Sequence, residues 1–594
     1  MMKQIVFFLI TLSVWHIKAQ SVTIPFNPEW LQSKNITIDG ANIELLKFKG
    51  ALYDDAQPGL PVFLTEISVD KNDGRISIEE IISEPISWNY WQEKEQEKFN
   101  DIQLSASVEK EGNNYFAKII LIPLFKKSGQ WHKITSARIV FLPFNKAESN
   151  LRNTNFKQES VLKTGNIFQL SISQKGVYQI KTDFIRSQLK LDPATIDPKQ
   201  IKLYAGQSGM LPFAVNIPNI DDLEEIPIKV FGEDDGKWDP NDYIVFYAEG
   251  ANTWIEDIEK QSFTFQNNFY SNTQFLYLIL SPQNGKRIIN QKNQTESPQF
   301  SKESDQYNVF EEEKINLLEA WESAEGSGNE WYGDLFKNAR EYKYNNVFTF
   351  PGIIPTFQTK VNALMVLRSL ESSSFNLTIN DKTLRSNMAQ PVNRLDGEFA
   401  NIEDYVRPAE LNGKINLSDE RINLTVSYPF PTGPADGSQG WLDYVEINTR
   451  CINRWTNTPL YLSDWNSLKE SISGFSIENT TQDFQIWDIS KAFDISAIEG
   501  NVSNATLKFS YISGGKLKKF VVFKPDNTLP IPVFISKIAN QNIHASTSVD
   551  MVIICPSAFE KAAKRLAEHR IKHSNLKVSV HTVESIYNEF SSGK

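Results

Sequence analysis

Alternation of apolar and polar positions dominates the first quarter of the chain, and period two predicts strands. Glu66-Ile-Ser-Val-Asp70 and Arg75-Ile-Ser-Ile-Glu79 alternate on either side of Lys71-Asn-Asp-Gly74. An Asp-Gly pair supplies positive φ, so these two runs are expected to form a hairpin. Tyr115 to Leu124 and Ala137 to Phe144 read as further strands, and the polar run Asn145 to Ser160 reads as a linker. Beyond it come an expected helix at Asp183 to Lys190, a strand at Ile201 to Tyr204, a turn at Gly206 to Gly209 and an aromatic strand at Tyr243 to Tyr247. From about Tyr344 to Pro532 strand patterns recur at Val361–Arg368, Ser374–Ile379, Ile415–Leu417, Ile422–Tyr428, Trp441–Asn448 and Ala505–Tyr511. Strands separated by turn residues, with no long helix between them, predict a β-sandwich of jelly-roll type.

The period changes near the end. Met551 to Cys555 is a continuous apolar run, as expected of a strand buried on both faces. Pro556 stops it, and Ser557 with Glu560 has the capping-box spacing of a helix start. Phe559, Ala563, Leu566, Ala567 and Ile571 then recur at helical spacing. Val578-Ser-Val580 is a second strand and Val583 to Phe590 a second helix. Strand, helix, strand predicts parallel neighbours joined by a right-handed crossover, and a parallel sheet needs more strands and helices than these to cover both faces. The fold class is therefore mainly β and multidomain: sandwich domains followed by the first βαβα segment of an α/β domain. The expected divisions are 1–19 leader, 20–150 β domain, 160–343 β-rich domain with short helices, 344–535 sandwich and 545–594 opening of the α/β domain.

Composition narrows the function class. The 594 residues are 40% hydrophobic, ordinary for a soluble protein with full cores. A net charge of -11 argues against nucleic acid and against an anionic membrane surface as partners. Lys3 followed by the mostly apolar Ile5 to Val14 and by Ile17-Lys-Ala-Gln20 reads as a secretory leader cut after Ala19, which implies export. That run is too short to span a bilayer, and no later segment is long and apolar enough to do so. Cys451 and Cys555 are the two cysteines of the chain. A disulfide scaffold is thus not its strategy, and a Cys451–Cys555 bridge is disfavoured because Cys555 falls in an expected buried strand.

Candidate chemistry is sparse. Asp234, Asp235, Asp239 and Asp242 surround Gly236 and could offer the oxygen ligands of a calcium ion. Their spacing is not that of an EF-hand loop, and a solvated turn feeding the next strand outweighs the metal reading. His569 and His573 stand one helical turn apart, a zinc-compatible spacing, but Arg570 and Lys572 would repel a cation. His544 paired with either cysteine would make a nucleophile–base dyad. Both cysteines, however, lie at strand ends or interiors rather than in exposed electropositive settings. Trp331, Tyr332 and Phe336 read as core aromatics before they read as ligand contacts. No catalytic or cofactor-binding residue is assigned.

Several stretches carry a resemblance. Asn540-Gln-Asn-Ile-His544, Asp550-Met-Val-Ile-Ile554, Ala562-Ala-Lys-Arg-Leu-Ala567 and Ile586-Tyr-Asn-Glu-Phe-Ser-Ser-Gly593 resemble the opening of the gingipain-type cysteine peptidase domain, and more narrowly that of the PorU-type sortases of type IX secretion in Bacteroidetes. Glu313-Lys-Ile-Asn-Leu317, Ser327-Gly-Asn-Glu-Trp-Tyr-Gly-Asp-Leu-Phe336, Trp441-Leu-Asp-Tyr444 and Ile486-Trp-Asp-Ile-Ser490 resemble the same family. Ile167-Phe-Gln169 stands where the family usually has Trp-Tyr-Lys. The resemblance implies a gingipain- or caspase-like catalytic domain whose His, in a Gly-His-Gly context, and Cys follow well after Gly593. The chain would then be the non-catalytic front part of a cysteine endopeptidase/transpeptidase that removes the C-terminal sorting domains of cargo and attaches the cargo to the cell surface. Implied partners are the outer-membrane components of type IX secretion and cargo C-terminal domains. The implied location is the periplasm or outer-membrane surface of a Gram-negative bacterium. Two rival readings are a non-enzymatic surface-binding sandwich using Trp441 and Tyr444 as sugar platforms, and a pro-region or chaperone for a gingipain-like protease.

Overall fold

The computed structural model describes residues 21–594 apart from 39–40, 54–59, 70–73, 89–98, 112–113, 128, 144–156, 213–216, 218, 292–298, 317–329, 393–404, 430, 432–436, 527 and 548. The expected leader lies outside the described residues. The chain divides into two compact units, Met1–Asn155 and Phe156–Lys594.

In the first unit, Val22–Phe26, Gln130–Pro143 and Gly74–Pro85 form one antiparallel sheet, onto which Leu124–Lys127 folds back. Phe63–Val69, Asn114–Ile122 and Gln103–Glu111 form a second. Phe26, Ile119, Leu121, Ile139 and Phe141 belong to one buried core. The hairpin expected from Asp-Gly is not made. Phe63–Val69 pairs with Asn114–Ile122, while Gly74–Pro85 pairs with Gln130–Pro143, so the two runs lie in different sheets. Alternation dictates that a run is a strand and which face it buries, but not its partner. Gly74 serves a close approach: a Cβ there would sit 2.2 Å from the Phe141 ring. Residues 70–73 lie outside the described residues.

The second unit begins with a five-stranded antiparallel sheet ordered Glu224–Ile226, Ile201–Ala205, Gln274–Leu280, Asn166–Ile172 and Val533–Ile538. Its last strand arrives from more than 350 residues downstream of its neighbour, so the chain returns to this sheet before the α/β segment starts. Gly176–Lys181, Tyr243–Ala248 and Lys229–Phe231 form a three-stranded sheet. Leu170, Leu203, Ile180 and Phe246 from these two sheets share a core that also takes in Trp487 and Phe523. The expected helix runs Thr182–Ser187 and stops early, with Lys190 at positive φ shortly after it.

The main sandwich pairs two antiparallel sheets. One is ordered Glu303–Glu311, Gln439–Ile452, Gln358–Arg368 and Arg407–Asn416, with Leu335–Phe336 added to Gln439–Ile452. The other is ordered Glu341–Thr349, Arg421–Ser427, Asn376–Ile379 and Lys382–Arg385. Val361, Met365, Leu424 and Val445 are buried between them in one cluster. A smaller pair of sheets, built from strands between Leu460 and Phe523 with Ile289–Gln291 and Phe300–Ser301 added in parallel at one edge of each, encloses Phe475, Phe509 and Phe520. The sandwich thus draws strands from both sides of residue 343.

At the end of the chain Met551–Cys555 and Val578–Thr582 pair in parallel, linked by the helix Glu560–Ser574 and followed by the helix Val583–Phe590. Two expectations need correcting. Met551–Cys555 is not buried on both faces: Val552 and Ile554 are 52% and 56% exposed, on the face opposite Met551 and Ile553. Two strands and one long helix cover only one side of such a sheet. The capping box does not form either, because the Ser557 hydroxyl donates to Glu584 Oε2 at 2.7 Å. Along the long helix Ala563 and Ala567 are buried, whereas Phe559, Leu566 and Ile571 are exposed.

Candidate functional site

The segment Asn540–His544 joins the returning strand Val533–Ile538 to the α/β segment, and each of its residues is tied down. Asn540 Nδ2 donates to the Gly165 carbonyl at 3.0 Å. Gln541 donates from its backbone to Leu162 O at 3.0 Å, and from Nε2 to Ser585 O and Glu589 Oε1 at 2.8 and 2.9 Å. Asn542 Oδ1 accepts from the Ser160 amide at 2.8 Å. Ile543 N donates to both Glu589 oxygens at 2.9 Å, and His544 N donates to Oε2 at 3.1 Å. His544 Nδ1 meets Glu589 Oε2 at 2.6 Å, and Nε2 meets Asp221 Oδ1 at 3.0 Å.

The last helix is the other half of this dock. Asn588 is buried, with Oδ1 accepting from the Tyr277 hydroxyl at 2.8 Å. Phe590 stacks on the His544 ring at 4.5 Å. Gly593 takes φ +86°, and a Cβ there would lie 2.5 Å from the Tyr277 hydroxyl. Gly206 has the same role across the contact, since its Cβ would overlap Ser592. The C-terminal segment is therefore seated on the five-stranded sheet by backbone-close contacts that tolerate little change.

The electrostatics follow from burial. Glu589 is 1% exposed and accepts four hydrogen bonds from backbone and amide donors, besides facing the His544 ring. That many donors stabilise a buried carboxylate, which is otherwise costly to desolvate. Desolvation pulls His544 toward neutrality. The hydrogen bonds to Glu589 and Asp221, with the charges of Asp222 and Asp221, overcome it and hold the imidazole above its ordinary value. Only the imidazolium can donate from both ring nitrogens. Burial raises Asp222, while hydrogen bonds from Val161 and Ser160 work the other way.

The residues singled out in the sequence are not brought to this dock, His544 excepted. Asp234 and Asp235 occupy a short 3-10 turn between Gly232 and Gly236, both at positive φ. Asp235 Oδ1 accepts from Lys237 N at 3.0 Å, and Asp242 Oδ2 accepts from Asp239 N at 2.8 Å. These carboxylates therefore brace the turn. The His569 and His573 rings lie 4.4 Å apart and tilted by 33°, and among the described residues they belong to no group of three side chains placed to hold a metal ion. Cys451 and Cys555 are free and buried, and burial pushes the Cys451 thiol up to about 12. Neither cysteine contacts His544. Tyr332 and Phe336 are core residues as expected, whereas Trp331 is 39% exposed. Trp441, packed with Tyr332 and Val366, is buried and offers no sugar platform. Sequence reasoning missed Asp221, Asp222, Tyr277 and the role of Glu589. The stretches 540–544 and 586–593 were visible as motifs, but nothing in the sequence says that they touch.

The match to a known family begins at the histidine of this dock. Residues 544–594 match the model for peptidase family C25. The βαβα segment is thus the part of the chain that is similar to a C25 peptidase, and its docking helix and His544 both lie inside the match. The fold of the chain is similar to that of dimeric latent PorU from Porphyromonas gingivalis, with a TM-score of 0.61 and 18% identity over 74% of this chain. The chain spans 39% of the length of that PorU. A complex of the pro- and mature domains of Porphyromonas gingivalis RgpB aligns with 22% of the chain and 83% of its own, at 11% identity and a TM-score of 0.16. No curated protein matches the chain. Among the described residues no helix is long and apolar enough to cross a membrane.

Proposed function

We propose that this chain is the non-catalytic front part of a PorU-like type IX secretion sortase, which carries β domains and seats the start of the peptidase domain on them. The dock carries the reading: the C25 segment is bound to the five-stranded sheet through Glu589, Asn588 and Gly593. A seat of this kind would fix the orientation of a catalytic domain relative to the β domain that carries it. The fold shared with PorU supports the same reading. The reaction itself, cleavage of cargo sorting domains by a cysteine and histidine with attachment of cargo to the cell surface, is assigned to no residue of this chain. The alternative of a sugar-binding sandwich is weakened by the burial of Trp441.

Deleting the coding locus in its bacterium should leave type IX cargo with its C-terminal sorting domain uncleaved. Complementation with a gene carrying Glu589→Ala should restore processing poorly, because the peptidase domain loses its seat. Normal cargo processing in the deletion strain would overturn the proposal. The isolated chain should cleave no cargo-derived peptide in an alkylator-sensitive way, since both its cysteines are buried.

A further inference from the structure

Three stretches of chain converge at the rim of the main sandwich, away from the dock. The strand Glu303–Glu311 ends there and runs on to Glu313. Residues 330–333 return beside it through an antiparallel bridge between Ile315 and Tyr332, and the Gly333 amide donates to the Leu442 carbonyl at 2.6 Å. The third stretch is a bulge. Leu364 and Met365 are consecutive, but they face Tyr444 and Leu442, leaving Asp443 as the extra residue. A bulge re-aims one side chain at the expense of a ladder position, and here the re-aimed side chain is a carboxylate.

Carboxylate oxygens of Glu311, Glu330 and Asp443 all lie within 4.8 Å of one another. Asp443 is 5% exposed, and among the described residues it has no hydrogen-bond or ion-pair partner. A buried ionised carboxylate without a partner is strongly disfavoured. Glu589 and Asp222 have their donors, whereas no protein donor or cation among the described residues reaches the Asp443 carboxylate, which leaves its oxygens open to a ligand from solvent. The charges that act on Asp443 come from Glu330 and Glu313, so its neighbours add to the repulsion instead of relieving it. Asn267 Nδ2 donates to Glu311 Oε1 and Glu313 Oε1 at 2.9 and 2.6 Å, which fixes two of the acids in place. No ion pair joins Glu311, Glu313, Glu330 or Asp443 to a cationic side chain among the described residues. Lys314, the nearest lysine in sequence, is engaged by Glu312 and Asp334.

We propose that Glu311, Glu330 and Asp443 bind a calcium ion, with Glu313 beside them and solvent completing the shell. All the protein ligands are hard oxygens, which excludes a preference for zinc or copper. Three carboxylates brought from separate stretches, with solvent completing the shell, suit the flexible oxygen coordination of calcium better than the near-ideal octahedron that magnesium requires. Bound there, the ion would pin residues 330–333 and the end of the strand Glu303–Glu311 to the bulge. It would close the rim of the sandwich with charge where hydrogen bonds are lacking.

The test uses the whole chain, stripped with a chelator. Millimolar Ca²⁺ should raise its melting temperature by about 3 °C or more, following the linkage between binding and stability. The same concentration of Mg²⁺ should give less than half that shift. Terbium should bind at the site and luminesce on excitation of tryptophan, since Trp331 adjoins Glu330 and Trp441 lies two residues from Asp443. Calcium should quench that signal. Asp443→Asn and Glu330→Gln should each abolish the calcium shift and the luminescence. The double change Asp234→Asn/Asp239→Asn, in the other acidic loop, should leave both intact. Should Asp443→Asn not fold, Glu330→Gln at its half-buried position decides together with terbium on the wild type. No calcium shift in the wild type would overturn the proposal. So would an equal shift with Mg²⁺, a shift that survives Glu330→Gln, or one lost only in the Asp234/Asp239 variant.

Discussion

His544 Nδ1 and Glu589 Oε2 stand 2.6 Å apart, joining the first residue of the C25 match to its last helix across 45 positions of sequence. The pair closes the α/β segment on itself, while Asp221 on the other side of the ring ties it to the sheet domain. One imidazole is thus the hinge pin of the dock.

Glu589→Gln should destabilise that dock by about 2–4 kcal/mol, because a buried acceptor of several hydrogen bonds loses its charge and gains an NH₂ that faces donors. Urea unfolding followed by hydrogen exchange should show the loss confined to residues 540–544 and 583–593. Amides of the sandwich core should keep their wild-type protection.

A pH dependence follows from His544. Its pKa in the folded chain is raised above the ordinary 6.5. The proton is therefore bound more tightly folded than unfolded, and the stabilisation is complete below about pH 6.5. It is lost as pH rises through the folded value. Asp221, Asp222 and Glu589 face the ring, and Phe590 covers it. Protection of the helix Val583–Phe590 should thus fall between neutral and mildly alkaline pH in the wild type. It should be flat over that range in His544→Gln. An equal slope in both proteins would mean that another group titrates.

Much of this architecture could be read from the sequence, and the failures share a cause. Period-two patterns located Gly74–Pro85, Gln358–Arg368 and Arg421–Ser427, and the change of period placed the helices Glu560–Ser574 and Val583–Phe590 close to their observed limits. Pairing was less legible. Asp-Gly at 73–74 has a hairpin composition, yet the neighbouring runs lie in different sheets, because the partner of a strand is chosen by the burial of its face and not by its turn. The return of Val533–Ile538 to a sheet begun at Asn166 left no local signal. The dock was half legible: the stretches 540–544 and 586–593 stood out as motifs, but their polar residues have no pattern that names Asp221 or Tyr277. Acidic residues misled in the opposite direction. Asp234, Asp235, Asp239 and Asp242 are close in sequence and hydrogen-bond their own turn. Glu311, Glu330 and Asp443 are far apart in sequence and meet only because a bulge turns Asp443 toward the other two.

Gly593→Ala isolates the steric part of the dock. Its φ of +86° costs an alanine about 1–2 kcal/mol, and the new Cβ would lie 2.5 Å from the Tyr277 hydroxyl and 3.1 Å from Phe275. Gly236 at φ +76° has no atom within 4 Å of such a Cβ. Gly236→Ala therefore reports backbone strain alone. In chemical denaturation Gly593→Ala should cost at least about 1 kcal/mol more than Gly236→Ala. Equal costs would show that the segment can shift away from Tyr277 freely.

The α/β segment has one firm side and one open side, and limited proteolysis should distinguish them. Its helix Val583–Phe590 is anchored by Asn588 and Glu589, both buried, whereas the long helix buries only Ala563 and Ala567 along its length. Val552, Ile554, Phe559, Leu566 and Ile571 are exposed on either side of that sheet. A segment with so few buried apolar contacts opens at low cost, and cleavage samples that opening. Lys561, Lys564, Arg565, Arg570 and Lys572 supply trypsin sites within the helix. First cleavage should fall there, between Glu560 and Ser574. The C-terminal fragment should remain bound to the rest, because its anchoring hydrogen bonds are to Tyr277, Gln541, Ile543 and His544. Glu589→Gln should release that fragment after the same cut. Val552→Lys with Ile554→Lys should leave the melting temperature within about 1 °C of wild type, since both side chains already face solvent, while lowering self-association through the apolar face. A helix that resisted trypsin as long as the sandwich would show that this face is already covered in solution, and self-association unaffected by the two lysines would show that copies of the chain do not cover it.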